Sequence, residues 1–181
     1  MKISRNKIGI LIIFVIVILI ESISFATYQT ITLEDVKNNT IREMKANIEK
    51  EKVFLTEEEQ ETLNLINEYR RKNGLEKLQP FSKLQEVSKI KAKDLVEYEY
   101  FSHTSNHLGT PFEMLQQNRI NYRIAGENLA GNLNPERAVE AWINSPSHRE
   151  NILEEEFQYT GISVMDSPVY GKVFVQLFLG M

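Results

Sequence analysis

No cysteine occurs among the 181 residues. That excludes disulfides, thiolate metal ligands, a cysteine nucleophile and a lipid-modified cysteine anchor. An exported chain without disulfides is held by packing alone, which suits a bacterial envelope better than a small secreted animal domain. Positive charge is also in short supply. Of 21 basic and 25 acidic residues, Lys2, Arg5, Lys7 and Glu21 stand in the first 26, leaving 18 basic against 24 acidic and a net charge of −6. Such a balance carries no footprint for nucleic acid, and it favours anionic polymers only where a local basic patch exists. The longest apolar run, Ile8–Ile20, falls short of the ~20 residues of a full membrane span.

What is present begins with that run. Three basic residues precede it, and the small residues Ser24 and Ala26 follow it. The pattern fits a secretory signal cleaved after Ala26. The rival reading is an uncleaved membrane anchor through residues 8–25. Either way the rest of the chain is expected outside the cytoplasm, because the positive residues stay inside. Residues 27–55 read as a polar spacer, partly helical on a thin apolar stripe of Leu33, Val36, Ile41, Met44 and Ile48.

Residues 56–181 read as one domain. Thr56 and Glu59 form a capping box ahead of a stripe of Leu63, Ile66 and Tyr69, and Asn73-Gly74 stops that helix. A second helix follows Pro80, with Leu84, Val87, Leu95 and Tyr98 on one face; Lys91 and Asp94 interrupt it. Pro111 opens a short helix to about Gln117. Asn134-Pro135 opens another, with Ala138, Val139 and Trp142 facing inward. Ser145-Pro146 repeats the signal and puts His148 in the first turn of a short helix. The period then changes: Tyr159–Met165 and Lys172–Leu179 read as strands. The last strand is apolar on both faces, with Val173, Val175, Leu177 and Leu179 on one and Phe174 and Phe178 on the other. A sheet covered on both sides follows, and with the helices it predicts an α+β fold, an α-β-α sandwich around a small antiparallel sheet.

Four segments together carry a resemblance. They are Leu65–Arg70 with its Asn73-Gly74 stop, Lys91–Leu95 running into Tyr100–Thr104, Ala125–Ala130, and Ala141–Leu153. The closing Tyr159–Ile162 and Phe174–Phe178 add to them. In order and spacing they resemble the CAP superfamily (the SCP domain of cysteine-rich secretory, antigen 5 and pathogenesis-related proteins), in a bacterial, cysteine-free branch. The resemblance implies the sandwich fold and an extracellular setting, and no single activity. It also implies a cleft of two histidines and two acids that holds a divalent metal in some members. By motif, His103 matches the first histidine, Glu127 the first acid and His148 the second histidine. Three residues after Trp142, where many eukaryotic members carry the second acid, this chain has Ser145; Glu140 and Glu150 are the candidates to replace it.

Two neutral imidazoles and a carboxylate are a ligand set for zinc or another divalent ion with an open position. The helix dipole near His148 favours its neutral form, which is the form that binds metal. Glu127 is alternatively a partner that orients His103, and the whole cluster is alternatively a hydrogen-bond network that fixes loops. His103, Glu127 and His148 are also the candidate catalytic residues; no serine elbow supports an acyl-transfer centre. His107 reads as a solvated loop residue, Asn128 as a backbone-bonding turn residue, and Trp142 as core. Arg70 and Arg149 read as anchors for Glu127 or a loop, or as surface charges. Ser145 and Ser147 read as helix-start residues. Three functions remain open: a binding module for a lipid, glycan, peptidoglycan or protein ligand; a metal-dependent hydrolase; and a structural protein of the envelope or of a spore layer.

Overall fold

The computed structural model describes residues 16, 18, 19, 35–38 and 53–181. The export signal and most of the spacer lie outside these residues, although Ile16, Ile18, Leu19 and Asp35–Asn38 are helical. No helix among the described residues is long and apolar enough to cross a membrane.

Thr56 caps helix α1 (Glu57–Lys72) through the expected box: Glu59 N donates to Thr56 Oγ1 at 3.2 Å and Thr56 N to Glu59 Oε2 at 2.8 Å. The helix stops at Asn73, and Gly74 takes φ +78, where a glycine carries no side-chain penalty. Strand β1 (Gln79–Pro80) leads into helix α2 (Ser82–Glu97), then helix α3 (Pro111–Gln117) and strand β2 (Ile124–Asn132). Helices α4 (Pro135–Asn144) and α5 (Pro146–Leu153) precede the hairpin β3 (Tyr159–Ser167) and β4 (Gly171–Gly180).

The sheet order is β1-β3-β4-β2. β4 is antiparallel to β2 and β3, whereas the two-residue β1 runs parallel to β3, so the sheet is mixed at one edge rather than wholly antiparallel. β4 is apolar on both faces because helices cover both. Phe174 and Phe178 pack with Leu63, Ile66, Ala138, Val139, Trp142 and Ile152 from α1, α4 and α5. Val173, Val175, Leu177 and Leu179 pack with Leu84, Val87, Ala92, Leu95, Met114 and Leu115 from α2 and α3. That is the α-β-α sandwich. The helix after Pro80 loses Tyr98 from its buried face: the helix ends at Glu97, and Tyr98 is 51% exposed. At Gly161 the α2 backbone passes so close that a Cβ would stand 2.3 Å from Leu84 C and O.

Side chains close both sheet edges, which blocks edge-to-edge pairing. Beyond the short β1, the Gln85 amide imitates a neighbouring strand: it donates to Ile162 O and accepts from Ile162 N at 2.8 Å. On the outer edge of β2, Asn151 Nδ2 donates to Glu127 O at 3.3 Å and Trp142 Nε1 to Leu129 O at 2.9 Å.

Candidate functional site

The outer edge of β2 is where the expected site assembles. Leu129, two residues after Glu127, packs in the α2–α3 core, so alternation turns Glu127 toward α2 and Asn128 toward α4 and α5. His103 arrives on the loop after α2, and His148 sits in the first turn of α5. Nδ1 of His103 lies 2.7 Å from Glu127 Oε1; the His103 side chain is 54% exposed and that of Glu127 only 2%. With Glu127 ionised, Nδ1–H donates to it, and in the neutral ring Nε2 then carries the lone pair. Glu127 Oε2 is buried with no hydrogen-bond partner among the described residues. Burial pushes the Glu127 carboxyl above its ordinary value, against the hydrogen bond from His103 and the charges of Lys91 and His103.

His148 lies near enough to feel the charge of His103. Its pKa is held below the ordinary histidine value, first by burial and then by that charge. The direction agrees with the expectation of a neutral imidazole, with desolvation as the first cause and a like charge as the second. His148 O accepts from Asn128 Nδ2 at 3.0 Å, and Asn128 Oδ1 accepts from Asn151 Nδ2 at 2.9 Å. Asn128 is therefore a fully buried mid-strand residue that ties α5 to β2, not a turn residue.

The other expected participants stand elsewhere. Glu140 lines a groove between α1 and α4 with Leu65 and Tyr69, and Glu150 lies on the surface near Leu75 and Leu153. Neither replaces the missing second acid. Arg70 is buried and donates to the carbonyls of Glu76, Ile152, Glu154 and Phe157, so it anchors the chain leaving α5 and does not touch Glu127. Arg149 donates to Ile143 O at 2.9 Å. Ser145 is the α5 N-cap by backbone only, with no side-chain capping bond. His107 is not simply solvated: it stacks on Tyr98 with centroids 3.8 Å apart, and its Nδ1 is 3.4 Å from Asp94 Oδ1.

The metal expectation meets a geometric test here. Among the described residues no group of three or more His, Asp or Glu side chains is placed to hold a metal ion. Glu127 faces His103 rather than sharing a ligand with it, so a three-ligand set of His103, Glu127 and His148 does not fit. Ser105, two residues from His103, fits a nucleophile no better. Ser105 Oγ donates to Asp94 Oδ2 at 2.7 Å and accepts from the His107 and Leu108 amides at 3.0 Å each. Sequence reasoning missed Asn151 and the role of Asn128. It did register Lys91 and Asp94, the polar breaks in an apolar helix face.

The sequence profile of the CAP family, described as the cysteine-rich secretory protein family, matches residues 63–178. The YkwD protein of Bacillus subtilis, itself uncharacterized, is 38% identical over 123 residues, covering 67% of this chain and 47% of YkwD. A solved extracellular protein with an SCP domain from Bacillus anthracis is 30% identical with a TM-score of 0.64, over 72% of this chain and 45% of that one. An outer surface protein from Borrelia burgdorferi is 28% identical with a TM-score of 0.63, over 72% of this chain and 98% of that one. This chain thus spans about half the length of the two Bacillus proteins.

Proposed function

The chain belongs to the CAP family, and from that premise we propose that it is an exported binding module whose cleft at the outer edge of β2 presents His103 and His148 to an extracellular ligand. One observation carries this reading: a half-exposed imidazole is held by a carboxylate that is itself almost wholly buried. Burying a carboxylate is expensive, and the fold tolerates it where it fixes one face of an exposed ring. The spent Ser105 hydroxyl supports binding over acyl transfer. The basic-then-apolar start of the chain supports export, as does the description of two relatives as extracellular or outer surface proteins. Lipid, glycan, peptidoglycan and protein are the ligand classes to screen. In the test, the purified full chain is passed over immobilised peptidoglycan, wall glycans and lipid vesicles. At least one component is retained, and His103→Ala/His148→Ala lowers its retention by about tenfold, the scale of ~1.4 kcal/mol. No retention of any component sinks the reading.

A second reading has a divalent ion held by the imidazoles alone. The Nδ1 bond to Glu127 favours it, since a carboxylate behind a histidine is the usual support of a metal-ligating ring. Two imidazoles fall short of the three protein ligands of ordinary zinc sites, so binding is weak and calls for added metal. Elemental analysis of the full chain without a histidine tag, after incubation with zinc and desalting, decides it. Metal lost in both His103→Ala and His148→Ala supports the ion and makes hydrolysis worth assaying; metal-free protein removes both.

A further inference from the structure

The apolar face of α2 is broken at Lys91 and Asp94, and neither belongs to the His103–Glu127 pair. Yet both are buried, Lys91 at 0% exposure and Asp94 at 6%. A lysine is almost never fully buried without partners, and Lys91 has them. Its ammonium donates to Ser102 O at 2.8 Å, His103 O at 3.0 Å and Tyr100 Oη at 3.1 Å, three acceptors for three protons. Asp94 holds the rest of the same loop. Its Oδ2 accepts from Tyr100 Oη and from Ser105 Oγ. Ser105 in turn closes the loop through paired backbone bonds with Gly109 at 2.8 and 3.0 Å. One turn of α2 thus fastens Tyr100–Gly109 at several points.

We propose that Lys91 is a positioning residue of the cleft: its ammonium clamps the carbonyls of Ser102 and His103, so that the His103 ring is delivered onto Glu127. His103 is then fixed at two places, its own carbonyl by Lys91 and its Nδ1 by Glu127. A ring anchored only at Nδ1, on a loop free to slide, would keep neither its tautomer nor its direction. Asp94 assists by holding the hydroxyls of Tyr100 and Ser105, which leaves Lys91 to bind the carbonyls. The opposing influence of the Lys91 charge on the buried Glu127 is consistent with this placement. The proposal rests on the reading of His103–Glu127 as the working pair of the site.

The ring nitrogens of His103 report the clamp without any ligand. In the full chain carrying 15N-histidine, His103 shows one tautomer with its proton on Nδ1. In Lys91→Met the ring nitrogens move to the averaged positions of a free imidazole, and the amide signals of Ser102 and His103 shift with them. Leu63→Ala, a core truncation in the opposite helix layer, outside the cluster on which Tyr100 and Leu108 of this loop pack, leaves His103 unchanged and separates positioning from general loosening. A folded Lys91→Met chain with the original His103 pattern overturns the proposal. Should that variant fail to fold, the unsubstituted chain still decides. Its Lys91 ammonium protons exchange slowly enough to be seen at neutral pH while those of exposed lysines are not, and exchange as fast as the exposed ones overturns the clamp. Failure of the ligand screen with an ordered ring would sink the functional reading alone; a disordered ring with retained ligand would sink the clamp alone.

Discussion

The two walls of the cleft are held by different chemistry. On the His103 side the loop is fastened by buried charge: the Lys91 ammonium, the Asp94 carboxylate and the Glu127 carboxylate. Burial and the bond to Asp94 push the Tyr100 phenol between them up to about 12. On the His148 side the charged groups are the guanidinium groups of Arg70 and Arg149, which bond the carbonyls of Ile152 and Ile143 and stay charged at all working pH. Asn128 and Asn151 link α5 to β2 through amides, and Trp142 seals the neighbouring carbonyl from within the core. The helix wall stands on packing, amide hydrogen bonds and guanidinium–carbonyl bonds, none of which titrates near neutral pH. The loop wall stands on ion–dipole bonds that are strong when complete and costly when one partner is lost. One histidine therefore sits on a scaffold that is insensitive to pH, and the other on one whose pairing with Glu127 is pH-dependent.

The comparison is broken most severely at Trp142. Trp142→Ala removes a side chain 1% exposed and the donor to Leu129 O, and it is expected to cost ~3–5 kcal/mol. Urea unfolding reads this directly, and an unchanged midpoint would show that the helix wall does not depend on packing. Asn151→Ala strips donors from Glu127 O and from Asn128 Oδ1, a loss of about 1–3 kcal/mol for groups left unpaired inside the protein. The same loss should appear at pH 5 and pH 8; a loss that varies with pH would mean that the bonds of the helix wall titrate.

Glu127 sharpens the contrast. Because burial raises its folded pKa above the unfolded value, the native state binds the proton more tightly. Stability then falls as pH rises from the ordinary carboxyl range through the raised value, and it stays lower above it. Glu127→Gln abolishes the fall. A pH series of urea midpoints that shows an equal fall in both proteins would contradict the assignment. The smallest effect belongs to His148, whose folded pKa is held down by burial and by His103. There the unfolded state binds the proton more tightly, so stability drops as pH falls through the ordinary histidine range, near pH ~6.5. His148→Ala should flatten that acid limb in the same series, and a limb of unchanged slope would assign it to another group.

Much of the fold was legible because its signals are local. The Thr56–Glu59 box, Pro111 and Asn134-Pro135 each mark a helix start by chemistry within one turn. The two apolar faces of β4 announced a sheet between helix layers. β2 was not legible. Gly126, Asn128, Gly131 and Asn132 depress strand propensity, and the segment is a strand because β4 pairs along it while Asn151 and Trp142 cap its far edge, all contacts from distant sequence. The pairing of His103 with Glu127 was visible through family motifs and not through spacing. Lys91 and Asp94 were visible as misfits on a helix face, but their partners, nine or more residues along the chain for Lys91 and six or more for Asp94, were not.

The claim that both walls exist to present their histidines to a ligand is tested most directly by retention. The full chain and His103→Ala/His148→Ala are compared on the same immobilised envelope components at neutral pH. The account predicts a component held by the unsubstituted chain and released about tenfold more readily by the variant, while Trp142 and its surrounding core still give a cooperative unfolding transition. Equal retention by the two proteins would contradict it, and would place the binding surface of this chain away from the cleft.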